Sequence, residues 1–432
     1  MLFKNIGIVD ENFDYVKSMF VETKDDRIVY VSSVRPENYE GEEYDGTGKV
    51  LMPGFVNAHS HSPMTLLRGY AENLPLQRWL NEKVFPFEDR IKGEDAYYSS
   101  MLAIAEMLRY GTVSFSDMYF FSENVAKAVT DSGIKCNFSR AITSFEDTDI
   151  ENLQSFRESE DIVKQFHNAA DGRLKIDMSL HAEYTNRRTI IEQFAEKVRE
   201  RGLRAHIHLS ETKKEHEECK AKYSLTPTQL FYKCGVFDVP TTAAHCVWVE
   251  DGDIELLREK GVTAATCPAS NLKLGSGICD VYKLLKSGVN VAIGTDSVAS
   301  NNNLNMIKEM FLCALLPKGL HNDASVVSER DILKMATVNG YKAQGREDSG
   351  AIKAGYKADL CVLNIEGEHM YPQTDMINNL VYAADGADVV LTMADGRVLY
   401  KDGEFTTIDI EKVKSTVNAA ASRIISEVKK NG

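Results

Sequence analysis

The sequence sets histidines and carboxylates at spacings that suit a metal centre. His59-Ser60-His61 is an H-x-H pair. In an extended strand, residues two apart project from the same face, so both imidazoles can enter one cavity. Further along stand Asp117, Arg140, His181, His208 with Glu211 three residues on, His245, Cys267 with Asn271 beyond it, and Asp296. Imidazole nitrogen and carboxylate oxygen bind a divalent transition metal at about 2.0–2.2 Å, and catalytic sites keep a position for water. His59 and His61, completed by His208 and Asp296, form a candidate ligand set of this kind.

Each residue also has a purely structural reading. An H-x-H pair on its own is a weak signal, and His206-Ile207-His208 is a second one in which only one member needs to be a ligand. His206 reads as a core histidine or a support for a ligand. His167, His216, His321 and His369 sit in polar or helical surroundings and read as surface residues. Cys267 reads as packing, because a thiolate would be out of place beside three imidazoles and a carboxylate. Glu211 could simply be a charge at a helix N-terminus. These readings do not explain why so many of the residues stand at the ends of β-rich runs.

Those runs end near Phe55–His59, Thr112–Asp117, Ile134–Arg140, Ile176–His181, Ala205–Leu209, Thr242–His245, Val262–Thr266 and Val291–Thr295. Helical patterns lie between them, for example SSMLAIAEMLRYG, RTIIEQFAEKVRERG and GDIELLREKG, several closed by glycine. Strand–helix alternation of this length predicts an α/β fold, a (β/α)₈ TIM-type barrel with active residues on its C-terminal face. A doubly wound open sheet is the second choice. Five of the ten histidines (His59, His61, His181, His208 and His245) fall at the expected strand ends. The two chain ends read as short strands with turns at Asp25-Asp26, Asp395-Gly396 and Asp402-Gly403. The expected organisation is a small β-sandwich domain from residues 1–53 plus 347–408, a catalytic barrel over 54–346, and a C-terminal helix over 409–432.

A net charge of −14 spread along the chain argues against a nucleic-acid partner. The eight cysteines include no C-x-x-C pair and read as reduced thiols. The N-terminal stretch lacks the apolar run of a secretory signal, and no apolar run reaches the length of about 18 residues that would span a membrane. The expectation is a cytoplasmic protein acting on a small molecule.

The motifs PGFVNAHSHSPMTLLRG (Pro53–Gly69), RWLNEKVFPFED (Arg78–Asp89), HIHLSET (His206–Thr212), AHCVWVED (Ala244–Asp251), CPASNLKLGSG (Cys267–Gly277) and GTDSVASNNNLNM (Gly294–Met306) follow one another along the chain. In the β-rich C-terminal part, GAIKAGYKADLCVL and DGRVLYKDG continue the pattern. This set resembles the amidohydrolase superfamily and, within it, the 5-methylthioadenosine/S-adenosylhomocysteine deaminases. The resemblance spans nearly the whole chain, and the RWLNEKVFPFED segment points to the deaminase branch.

The resemblance implies that His59, His61, His208 and Asp296 hold one divalent metal ion, Zn²⁺ or Fe²⁺. The expected fourth strand ends in His181 and offers no lysine for a second, bridged metal. Glu211 resembles the proton shuttle, and His245 the group that polarises the attacking water. Trp79 and Glu88 are implied to meet the nucleoside, Glu88 at its ribose hydroxyls. His181 is implied to meet the purine ring, and Arg140 the 5′ side. Some members have a second arginine soon after for a homocysteine carboxylate, whereas AITSFEDTDIENL here is acidic and Arg157 is the next candidate. This favours a neutral 5′ group. The implied activity is hydrolytic deamination at purine C6 of methylthioadenosine, 5′-deoxyadenosine, adenosine or S-adenosylhomocysteine, by a homo-oligomer. Guanine and cytosine deaminases and s-triazine chlorohydrolases share the metal set and are the alternative, but a free base has no ribose for Glu88. Non-catalytic barrel scaffolds are a remote alternative, since they have typically lost ligands that this chain keeps.

Overall fold

Parallel strands covered on both faces are buried along their whole length. The strands Phe55–Ser60, Thr112–Met118 and Ala205–Leu209 have every residue buried. The computed structural model describes residues 1–74 and 76–431; Pro75 and Gly432, inside the expected barrel segment and C-terminal helix, lie outside the described residues. The remaining barrel strands are Lys135–Ser139 continued by Ala141–Ile142, Leu174–Ile176 continued by Met178–Leu180, Thr241–His245, Thr263–Thr266 and Asn290–Ile293. Each pairs in parallel with the next. The last is linked to the first by a parallel bridge between Ser60 and Asp296, where the Asp296 amide donates to His59 O at 2.9 Å. Gly294 is required at this seam, because a Cβ there would come within 2.9 Å of His59 Cβ and of its amide nitrogen. Together these pairings make the expected (β/α)₈ barrel.

The helices between strands are amphipathic and end where expected. Arg188–Arg201 buries Ile190, Ile191, Phe194, Ala195 and Val198 and stops at Gly202, whose φ of 61° is the left-handed cap. The helix that carries the SSMLAIAEMLRYG pattern begins at Gly93, where Asp95 accepts the Lys92 amide at 2.8 Å and caps it. The segment carrying Trp79 and Glu88 is less regular. A turn of α-helix (Leu76–Trp79) passes into a π-helical turn (Leu80–Val84) and back into α-helix (Phe85–Glu88). Such insertions re-aim the side chains beyond them and are frequent at functional sites.

Both chain ends meet in one nine-stranded sheet. Leu360–Asn364 runs antiparallel to Lys49–Pro53, joining the C-terminal strands Val389–Ala394, Arg397–Lys401 and Glu404–Phe405 to the N-terminal Leu2–Val9, Tyr15–Lys24 and Arg27–Ser32. Phe3, Ile6, Leu51, Leu360, Leu391 and Met393 form its apolar core. The helix Ile410–Asn431 buries Val413, Val417, Ala420 and Ile424 in the barrel's outer core, and Arg423 pairs with Asp95 of the Gly93–Arg109 helix. Among the described residues, no helix is long and apolar enough to cross a membrane.

Candidate metal and active site

The first barrel strand delivers its two histidines to the C-terminal mouth. Asp117, at the end of the second strand, braces the turn that follows: it accepts the Ser62 amide at 2.7 Å and hydrogen bonds from the Ser60 and Ser62 hydroxyls. His59 Nε2 and His61 Nε2 lie 3.6 and 3.3 Å from the same Asp296 oxygen. A tetrahedral ion with bonds of about 2.1 Å separates its ligand atoms by roughly 3.4 Å, so the spacing fits a shared cation. The donor atoms of His59, His208 and His245, and those of His59, His61 and Asp296, lie within 4.8 Å of one another in each group.

The ring nitrogens facing away from this point are all engaged. His61 Nδ1 donates to Met118 O at 2.5 Å, and His208 Nδ1 to His181 O at 2.8 Å. His59 Nδ1 donates to His206 Nε2 at 2.9 Å. The two carbonyl acceptors fix the tautomers that leave Nε2 of His61 and His208 with a free lone pair, and a proton on Nδ1 of His59 does the same there. His59 Nε2 is fully buried and has no hydrogen-bond partner among the described residues. A buried acceptor left unmade is costly, and coordination to a cation resolves it. Burial pushes His59 and His208 well below the ordinary histidine range, so they remain neutral donors. Asp296 Oδ2 accepts from the Ser270 and Ser300 hydroxyls. Burial alone would raise the Asp296 carboxyl; the His61 bond and the charge of His245 outweigh it and hold the group well below the carboxylate range. Asp296 and His245 adopt left-handed backbone angles, φ 57° and 73°, which non-glycine residues hold only where the surrounding structure imposes them.

Glu211 and His245 stand beside the donor set. His245 Nδ1 donates to Asn271 Oδ1 at 2.9 Å, turning its Nε2 toward Glu211 Oε2, 3.9 Å away. Burial raises the Glu211 carboxyl, which suits a group that must hold a proton near neutral pH. His181 binds Thr185 Oγ1 through Nδ1 at 3.2 Å, and burial pushes it down to about 4. Its imidazole is therefore neutral.

A cavity of about 240 Å³ opens over these groups, lined by His61, Trp79, Glu88, Arg140, His181, His208, Glu211, His245 and Asp296. His59 sits behind it, buried. The predicted metal, catalytic and nucleoside-contacting residues therefore converge, with Arg157 the exception. The Trp79 indole N–H is spent on Ala71 O at 3.1 Å, so Trp79 offers the cavity only its ring. Glu88 accepts from the Tyr119 hydroxyl at 2.5 Å, and burial raises it to about 7. Arg140 Nε donates to Glu158 at 2.7 Å and Nη1 to Ala141 O at 2.7 Å. Arg157 is exposed, bonds to the Glu151 and Asn152 carbonyls and does not line the cavity.

Cys267 is buried packing with its thiol directed at Ala265 O, and His206 supports His59, both as expected. His216 departs from expectation. It is buried, not on the surface, with its ring between Ser210 and Glu250. Tyr119 was missed, although it follows the second strand's Asp117 by two residues and so shares its side of an extended chain. Ser270 and Ser300 carried no sequence signal, because their role is a bond to Asp296 made across separate elements.

The sequence pattern of the amidohydrolase family matches residues 50–399. A 5-methylthioadenosine/S-adenosylhomocysteine deaminase of Dictyoglomus thermophilum is 45% identical over 383 residues, covering 89% of each chain. A 5′-deoxyadenosine deaminase of Methanothermobacter thermautotrophicus is 40% identical over 401 residues, covering 93% of each. Among solved structures, an adenosine deaminase from Xanthomonas campestris with bound zinc superposes with a TM-score of 0.92 at 29% identity, covering 98% of both chains.

Proposed function

Because the chain belongs to the amidohydrolase family, we propose that it deaminates adenosine-type nucleosides hydrolytically at purine C6. The observation that carries this is one cavity joining two overlapping donor groups, His59/His208/His245 and His59/His61/Asp296, to a buried acid, an aromatic face and a second carboxyl. Relatives named for methylthioadenosine, S-adenosylhomocysteine and 5′-deoxyadenosine support the substrate class.

His59, His61, His208 and Asp296 are the residues that would hold the metal, taken as zinc in keeping with the Xanthomonas structure. When bound, such an ion supplies Lewis acidity and lowers the pKa of water toward neutrality. Glu211, whose burial favours the protonated carboxyl, delivers a proton to a purine ring nitrogen, which makes C6 electrophilic. His245, held by Asn271, orients the attacking water from the other side. As the water oxygen bonds to C6, one of its O–H bonds breaks and that proton passes through Glu211 or Asp296 to the amino nitrogen; the C6–N bond breaks, ammonia leaves, and the remaining hydroxyl proton restores the acid as C6=O forms. The product is the inosine analogue. Trp79 covers the nucleoside, His181 meets the ring and Glu88 receives the ribose hydroxyls.

Arg140 faces the 5′ side with its charge already met by Glu158. Its neighbours in the cavity include Leu80, Phe85, Phe120 and Thr143. This surrounding favours a neutral 5′ substituent, such as methylthio, over a homocysteine carboxylate. Ammonia release from metal-loaded protein with methylthioadenosine, 5′-deoxyadenosine, adenosine, S-adenosylhomocysteine, guanine and cytosine tests the reading. Turnover confined to the nucleosides, with the neutral 5′ groups fastest, is expected. Turnover of a free base alone would refute the nucleoside assignment.

A further inference from the structure

His181-Ala182-Glu183 contains a carboxylate that the chemistry above leaves unused. Glu183 is 3% exposed, just past the fourth barrel strand. It does not line the cavity over the donor set. It meets Glu215, 5% exposed, in the first turn of the helix Lys213–Tyr223. The turn Glu183–Thr185 packs against that helix and sets the two buried carboxyls against each other. Glu183 Oε2 and Glu215 Oε1 are both buried, and among the described residues no donor reaches either. Two buried carboxylates in contact cannot both stay ionised; one retains a proton and becomes the donor of a bond to the other. Burial, and after it the Glu215 charge, raise Glu183 well above the carboxylate range.

Each partner is fastened to a turn of the active site. Glu215 Oε2 accepts the Glu211 amide at 2.8 Å and the Thr212 amide at 3.2 Å, while Thr212 Oγ1 accepts the Glu215 amide at 3.2 Å. On the other side, Thr185 Oγ1 accepts the Ala182 amide and bonds His181 Nδ1, both at 3.2 Å. His181 O in turn accepts from the His208 amide at 3.0 Å. Glu183 therefore stands in the turn that carries His181, and Glu215 anchors the backbone of Glu211.

We propose that Glu183 and Glu215 act as a pair of positioning residues, in which one shared proton ties the His181 turn to the Glu211 turn and sets the spacing of the two groups that meet the purine ring. The assignment of those two groups rests on the function proposed above; the tie itself does not.

The test compares full-length, metal-loaded E183A, E183Q and E215Q with the parent for kcat, KM, metal content and amide exchange at Glu211 and Thr212. Glutamine restores the bridge, because its N–H takes the place of the shared proton. Both glutamine variants are expected to keep kcat within a factor of about three. E183A leaves Glu215 buried with an unpartnered oxygen. Its kcat is expected to fall about 10- to 100-fold through misplacement of Glu211, with KM moving less than about threefold and metal content unchanged. The Glu211 and Thr212 amides should exchange faster in E183A and at the parent rate in E183Q. Normal kcat in E183A, an equal loss in E183Q, or a loss confined to KM overturns the proposal. The exchange measurement uses no substrate. If the parent deaminates no adenosine-type nucleoside, the functional reading falls while exchange still decides whether the pair holds the turn.

Discussion

His206 makes a demanding test of the metal centre because it touches the proposed ion only through His59. Its Nε2 accepts the His59 Nδ1 proton at 2.9 Å, with the two rings nearly perpendicular at 79°. Both residues are buried, at 1% and 0% exposure. Burial pushes His206 down to about 3, so it stays a neutral acceptor across the working pH range. Replacing it with phenylalanine keeps a ring of similar size and removes the acceptor. The His59 N–H is then a buried donor with no partner, a loss of about 1–3 kcal/mol. The ring can avoid that loss by moving its proton to Nε2, but then the lone pair offered to the metal is gone. Either route weakens binding by an amount comparable to that of other lost supports of ligating histidines, about 10- to 100-fold, or roughly 1.4–2.7 kcal/mol. H206Q supplies an amide oxygen at nearly the same place and should recover most of the affinity. Competition for zinc with a chelator of known affinity, at fixed pH, measures both variants. Parent-like affinity in H206F, or equal weakening in H206F and H206Q, would show that the His59–His206 bond does not orient the donor.

Glu211→Gln should retain the metal, since no donor is removed, yet lose about 10²–10⁴-fold in kcat through the missing proton; metal analysis beside steady-state kinetics checks both halves. Glu88→Gln should raise KM for adenosine while leaving that for a 2′,3′-dideoxy analogue nearly unchanged, which a matched pair of kinetic runs will read. Glu309 is fully buried, accepts from Ala269 N and Asn301 Nδ2, and is raised by burial to about 7. An acid raised in the folded state contributes stability that is complete below its unfolded value and is lost as pH climbs through the folded one. Over that window, from about 4.5 to about 7, the loss approaches ~3 kcal/mol. Glu309→Gln cannot ionise, so its Tm relative to the parent should rise between pH 5 and pH 8; a constant offset would refute the assignment.

What the sequence made legible follows from the geometry of strands. His59 and His61 could be paired on paper because alternation in a strand is rigid, and His208, His245 and Asp296 could be grouped with them because parallel strands end on one face. The limits have the same physical origin. Trp79 and Glu88 are nine positions apart in a segment that α-helical periodicity alone would not phase correctly; the π-helical turn between them sets their direction. His216 lies in the charged run KKEHEECK, which reads as a solvated helix, but Ser210 and Glu250 enclose its ring. Ser270, Ser300 and Tyr119 act through single bonds to groups far away in sequence, and no local pattern encodes such a bond.

The same reasoning explains why the residues with the clearest sequence signal are not the whole machine. An imidazole can coordinate only if its second nitrogen is held, and here the holders are a backbone carbonyl of the second strand, a backbone carbonyl of the fourth and a side chain of the fifth. Two of the three involve no side chain, so no substitution at the holder's own position can be read as a change in the site. The barrel itself is therefore part of the ligand chemistry. The seam at Gly294, where a Cβ would strike His59, fixes the first and eighth strands close enough for Asp296 to reach both histidines. A change there that leaves every donor in the sequence should still loosen the donor geometry, because register and not residue type brings those atoms to a common point.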